Sequence, residues 1–202
     1  MKKLLYHMNR LWLLTFIGIM FYQLIVNGQD VTLSKNLTVL SIIIVCIVPW
    51  LIKKVLKYEM SETLKFIYFL FVFIALILGS IYNLYRTISW FDLLAHFLSG
   101  IVTCVLALII LKKFDLLKKD LPIFHIVFII AFSLMIASFW EFFEFLSDKV
   151  LKGDTQWVLL TGVDDTMTDM LIAFLSSVIF SVFYYIGSIT NKKFIKGINK
   201  VL

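Results

Sequence analysis

At 202 residues, with 61% hydrophobic and only 16% charged residues, the chain lies far outside the composition of soluble domains. Its mean hydropathy of +0.98 makes the bilayer its solvent. The net charge of +6 calls for no nucleic acid, because the lysines flank apolar runs, where they snorkel and meet anionic lipid.

Crossing about 30 Å of hydrocarbon takes roughly 20 helical residues. Apolar runs of that order lie at about Leu11 to Val26, Leu37 to Ile52, Leu64 to Leu84, Trp90 to Leu111, Leu121 to Leu146 and Met167 to Ile189. The expected fold is therefore an all-α integral membrane protein of six transmembrane helices. The first run follows Lys2, Lys3 and Arg10 as a signal peptide would, yet no small-x-small cleavage pattern follows it, so it reads as a retained helix.

Of the 19 Lys and Arg residues, six helices with an inside N-terminus leave only Lys35, Arg86, Lys149 and Lys152 on the outer side. The positive-inside rule then places both termini in the cytoplasm. Cys46 and Cys104 sit within apolar runs without metal or disulfide spacing and read as small core residues. No linker or fixed-period repeat divides the chain, so residues 1–202 read as a single membrane domain. The one longer connection, Ser147 to Asp165, falls on the outer face and reads as a gating loop.

Seven of the chain's ionisable residues are not explained by loops or by neighbouring lysines: Asp92, His96, Glu141, Glu144, Asp164, Asp165 and Asp169. Helix four runs inward from Asp92, helix five runs outward past Glu144 and helix six runs inward from about Asp165. All seven therefore share the level of the outer leaflet, on helices four to six, at about residues 90–190. Asp92 and His96 are four apart, Glu141 and Glu144 three, and Asp165 and Asp169 four, so each pair occupies one helix face.

Ionisable groups within a bilayer normally face a protein interior or a wet cavity. Six clustered carboxylates repel one another unless a cation balances them. Carboxylates with one imidazole suit Zn, Mn, Mg or Fe. The competing reading is local: Ser89-x-x-Asp92 and Thr166-x-x-Asp169 both fit a capping box, and Asp164 and Asp165 fit N-caps. Glu141 and Glu144 escape that reading, because they approach a helix C-terminus, where negative charge is disfavoured. Trp90, Trp140 and Trp157 fall at the aromatic belt of the same side. His125 and His7 lie toward the opposite face and receive no chemical role.

The motifs Asp92-Leu93-Leu94-Ala95-His96-Phe97, Trp140-Glu141-Phe142-Phe143-Glu144 and Asp164-Asp165-Thr166-Met167-Thr168-Asp169 resemble, in that order, the YjdF-type inner-membrane family. They are more distantly similar to VanZ-like proteins associated with teicoplanin resistance. In the VanZ-like pattern Asp-x-x-x-His is followed by Glu-x-x-Gln and Asp-x-x-x-Asn, with a glycine four residues on. Asp92, His96, Glu141 and Asp165 match it, whereas Glu144, Asp169 and Ala173 stand where the pattern has Gln, Asn and Gly. The resemblance implies a bacterial envelope protein.

The expected function is metal-dependent hydrolysis or phosphoryl transfer on an envelope lipid or lipid-linked substrate at the extracytoplasmic face of the inner membrane. Asp92, His96, Glu141 and Asp165 are the candidate ligands of a divalent metal, and Glu144 and Asp169 the candidate proton-transfer groups. Asp164, Trp140 and Trp157 are the candidate substrate contacts. The competing functions are a cation or proton-coupled transporter and a non-catalytic protein that binds lipid or antibiotic.

Overall fold

The computed structural model describes residues 2–27, 33–118 and 121–190, with side chains described for 2–25, 40–118 and 121–190. Of the residues used to orient the chain, Lys119, Lys192, Lys193, Lys196 and Lys200 lie outside the described residues, as does the side chain of Lys35. The chain is all helical among the described residues and divides into two compact units, Met1–Thr87 and Ile88–Lys200. Among the described residues, five helices are long and apolar enough to cross a membrane: Lys2–Ile25, Glu62–Ile81, Phe91–Lys113, Pro122–Leu151 and Asp164–Thr190.

The first unit comprises α1 (Lys2–Asn27), α2 (Leu33–Val55), α3 (Glu62–Val72) continuing into a π-helix (Phe73–Ile81), and the short α4 (Leu84–Thr87). α1 starts well before the apolar run at Leu11, because Lys2 to Arg10 contains no helix breaker. Phe16, Ile42, Phe69, Val72 and Ile77 form its core, and Trp12 stacks on Phe16 with ring centroids 6.1 Å apart. Ser61 caps α3 by accepting the Leu64 N–H at 3.3 Å. Glu62 accepts from Asn9 Nδ2 at 2.8 Å and from Lys65 Nζ at 2.7 Å, which ties α1 to the start of α3.

Pro49 lies inside α2 and has no N–H to offer the carbonyl four residues back, that of Val45. Tyr68 of α3 supplies the missing donor, its hydroxyl reaching Val45 O at 2.7 Å. A helix interrupter thus becomes an interhelical fastening. Farther along, the Tyr82 N–H donates to Ile77 O at 2.9 Å, an i to i−5 bond that closes the last π turn. Gly79 leaves room there for the Tyr85 ring, which a Cβ would strike.

The second unit packs α5 (Phe91–Lys113), α6 (Pro122–Leu151) and α8 (Asp164–Thr190) against one another, with the short α7 (Val158–Thr161) in the connection before α8. In lipid no hydrophobic effect draws helices together, so close approach of small residues does much of the work. Gly100 of α5 meets Ala173 and Ser176 of α8, and a Cβ there would lie 2.8 Å from the Ala173 carbonyl oxygen and would collide with Ser176 Oγ. Thr103 Oγ1 and Ser133 Oγ meet at 2.9 Å between α5 and α6. Ser176 and Ser177, both fully buried, return their hydroxyls to their own helix, at Ala173 O (2.9 Å) and Phe174 O (2.7 Å), which satisfies them.

At one end of this unit His125 is buried between α6, α8 and the chain leaving α5. Its Nε2 lies 2.8 Å from Leu116 O, an acceptor only, so Nε2 carries a proton, and Nδ1 pairs with the Tyr184 hydroxyl at 3.0 Å. Both nitrogens are satisfied, so this histidine ties helix ends together. The candidate site occupies the opposite end of the same three helices.

Candidate functional site

Asp92 sits one turn before His96 on α5, so the helix carries both side chains on one face. Asp169 comes from α8. Gly100 is one turn beyond His96, and Ala173 is one turn beyond Asp169, so the Gly100–Ala173 contact fixes how near the two functional turns come. His96 Nε2 lies 3.5 Å from Asp92 Oδ1 and 3.5 Å from Asp169 Oδ2. One ligand atom from each of the three residues lies within 4.8 Å of the others. His96 is 7% exposed and Asp169 2%.

Those separations are long for strong hydrogen bonds. They suit atoms around a shared cation: ligands at about 2.1 Å stand about 3.0–3.4 Å apart at octahedral or tetrahedral angles. Asp165, Glu141 and Glu144 act electrostatically on Asp169, and Asp165 and Glu141 act on Asp92.

α8 begins at Asp164, which places Asp169 in its second turn, too deep to cap the helix. Likewise the N-cap of α5 is Trp90, without a side-chain capping bond, so Ser89 and Asp92 form no capping box. The structure groups Asp92 and His96 with Asp169; Glu141 and Asp165, the other expected ligands, are not in that group. Asp165 is half-buried in the first turn of α8, and Asp164 beside it is exposed.

Glu141 is held apart, 4% exposed, with Oε2 accepting from Gln156 Nε2 at 3.2 Å. Glu144 Oε1 accepts from the Trp140 indole at 3.0 Å, and that Trp is 51% exposed, so it faces outward over Glu144. Trp157 precedes α7 in a left-handed conformation (φ 51°) and is half-buried.

Gln156, in the connection from Ser147 to Asp165, is a further residue of this site. α6 continues to Leu151 and ends on Lys152 in the left-handed region (φ 54°), and the chain then folds back. Asp148 directs the reversal, its carboxylate accepting from Thr155 N and Oγ1 at 2.8 Å and from Gln156 N at 3.2 Å. The Gln156 side chain, 6% exposed, is thereby delivered between α6 and α8, where Nε2 reaches Glu141 O and Oε2 and, at 3.0 Å, Thr166 Oγ1.

Over residues 8–188 the chain matches the family described as "Predicted membrane protein (DUF2238)". A protein of Thermotoga maritima bearing the name "Uncharacterized protein" is 30% identical over 126 residues, which are 61% of this chain and 62% of that protein. The match thus spans less than two thirds of that relative's length. No solved structure matches the chain.

Proposed function

Starting from the membership of this chain in that family of predicted membrane proteins, we propose that it is a metal-dependent enzyme of the bacterial inner membrane, acting on a lipid or lipid-linked envelope substrate. α2 serves as the sixth crossing, both termini are cytoplasmic, and the acidic end faces outward, as the distribution of basic residues implies. The YjdF-type likeness of the motifs, and the more distant VanZ-like one, support the envelope setting.

Asp92, His96 and Asp169 hold the divalent metal. The observation that carries this reading is the pair of 3.5 Å separations from His96 Nε2 to two carboxylates, in a buried group drawn from two helices. Three protein ligands leave coordination positions for water and a phosphate oxygen, the arrangement a hydrolytic metal requires. The half-buried Glu144 and Asp165 are the nearby carboxylates suited to proton transfer.

The test is metal content. Purified protein should carry about one divalent ion per chain, and Asp92→Asn and Asp169→Asn should each reduce this severely while the protein stays folded. Full occupancy in both variants would end the metal reading. A transporter would add metal- or proton-driven flux in sealed vesicles, and a binding protein would retain lipid without turning it over.

A further inference from the structure

No charged residue occurs from Thr155 to Val163, the stretch that carries α7. Leu159 is 85% exposed and Leu160 75%, and Val158 and Val163 are exposed beside them. Apolar side chains clustered this closely and standing clear of the protein mark a surface for lipid or for another protein. The level of the stretch and the bonding of its backbone select lipid.

The chain reversal sets the level. Asp148 accepts from the Thr155 and Gln156 N–H groups, Thr155 Oγ1 reaches Glu144 O at 3.5 Å, and Gln156 Nε2 donates to Glu141 O at 3.2 Å. The chain therefore turns back along α6 from the level of Asp148 toward that of Glu141, which is about 10 Å away by the helical rise. The far end of the stretch is held near the same level, because Gln156 Nε2 also donates to Thr166 Oγ1 in the first turn of α8. Over this length α6 exposes Phe142, Phe143, Leu146 and Val150, a surface that acyl chains cover on a membrane-spanning helix. α7 is thus continuous with a lipid-facing surface at its own level.

The backbone is bonded to match. The Leu160 and Thr161 N–H groups donate to Trp157 O at 2.9 Å, that of Gly162 to Val158 O at 3.1 Å, and that of Leu159 to Asp154 Oδ1 at 3.3 Å. Thr161 Oγ1 donates to Trp157 O at 3.0 Å. Water would serve these donors equally well, but acyl chains offer no acceptor, so a segment among them must bond its N–H groups within the protein. We propose that residues 157–163 form an interfacial segment seated at the boundary of head groups and hydrocarbon on the candidate site's side, with Leu159 and Leu160 among the acyl chains. The connection that reads as a gating loop is then a lipid-side element, which flanks the site beside Glu141 and Thr166. The seating of α7 rests on the membrane setting alone and stands whether or not a metal binds.

The experiment places nitroxide labels at Leu159→Cys and Leu160→Cys in lipid nanodiscs, in a Cys46→Ala background; Cys104 is fully buried, out of a label's reach. Labels at Phe142→Cys and Lys152→Cys serve as the acyl-chain and water references. Relaxation by oxygen, which concentrates in hydrocarbon, is compared with relaxation by a water-soluble nickel chelate. The oxygen-to-nickel ratio at Leu159 and Leu160 should match that at Phe142 and exceed that at Lys152 several-fold.

A nickel response at Leu159 as strong as at Lys152 puts α7 in water and overturns the proposal. Protection from both reagents, as a second copy or a partner protein lying over α7 would produce, overturns it equally. Hydroxyl-radical footprinting of the unsubstituted chain in the same nanodiscs needs no variant to fold: radicals made in water should leave Leu159 and Leu160 unoxidised, and oxidation of both refutes the seating.

Discussion

Replacing Gly100 by Ala should loosen the site without touching it. The added Cβ would stand 2.8 Å from the Ala173 carbonyl oxygen and 3.2 Å from the Ala173 Cα, and would also collide with Ser176 Oγ. A carbon–oxygen contact settles at about 3.3–3.6 Å, so α5 and α8 must separate by roughly 0.5–0.8 Å at this level. One turn away, the same displacement would carry His96 Nε2 from its 3.5 Å separation from Asp169 Oδ2 to about 4 Å or more.

Overpacking of this kind costs about 1–3 kcal/mol, and moving a ligand off its place lowers metal affinity by about 10–100-fold. The assays are thermal unfolding in detergent and Mn²⁺ titration of the same sample. Adding Ser176→Ala should restore only part of the stability, because the remaining collision is with backbone, which cannot rotate away. A Gly100→Ala protein with unchanged melting temperature and unchanged Mn²⁺ affinity would refute the idea that this contact sets the spacing of the site.

In the first unit, Tyr68→Phe should lower stability by about 1–2 kcal/mol, since Val45 O would lose the donor that stands in for the missing N–H of Pro49. Pro49→Ala restores that N–H, so in the Pro49→Ala background the Tyr68→Phe loss should shrink to a few tenths of a kcal/mol; equal losses in both backgrounds would refute the link. Asp148→Ala should release the chain reversal at Thr155 and Gln156, read as faster protease cleavage between Lys152 and Leu159; cleavage at the wild-type rate would show that the carboxylate does not hold the loop. Cysteine labelling in intact cells should reach positions beside Arg86 and Gly153 from outside and a position beside Lys118 only after permeabilisation, and the reverse pattern would invert the proposed topology.

Much of the second unit was legible because bilayer thickness dictates helix length. Apolar runs such as Trp90 to Leu111 and Met167 to Ile189 therefore fell close to α5 and α8. The pairing of Asp92 with His96 was legible too, since a four-residue spacing has one meaning on a helix. Which residue joined them was not. Asp165 and Asp169 lie one turn apart on α8, and the choice between them depends on how deeply that helix slides past α5, a length set by Gly100 and Ala173 facing each other. The VanZ-like pattern places a glycine at position 173, whereas here the small surface at this contact includes Gly100 of the opposite helix. Gln156 was illegible for a related reason, because its role arises only after Asp148 folds the chain back. The π-helix at Phe73–Ile81 likewise leaves no mark on an apolar run that reads equally well as regular α-helix.

The most direct test of the account is pulsed EPR of the Mn²⁺-loaded protein, which detects imidazole nitrogen bonded to the ion. One histidine nitrogen coupling is predicted, lost in His96→Ala and retained in His125→Gln, whose ring is committed to Leu116 and Tyr184 at the far end of the unit. Bound Mn²⁺ that shows no nitrogen coupling, or a coupling that survives His96→Ala, would contradict the assignment of Asp92, His96 and Asp169 as a metal centre.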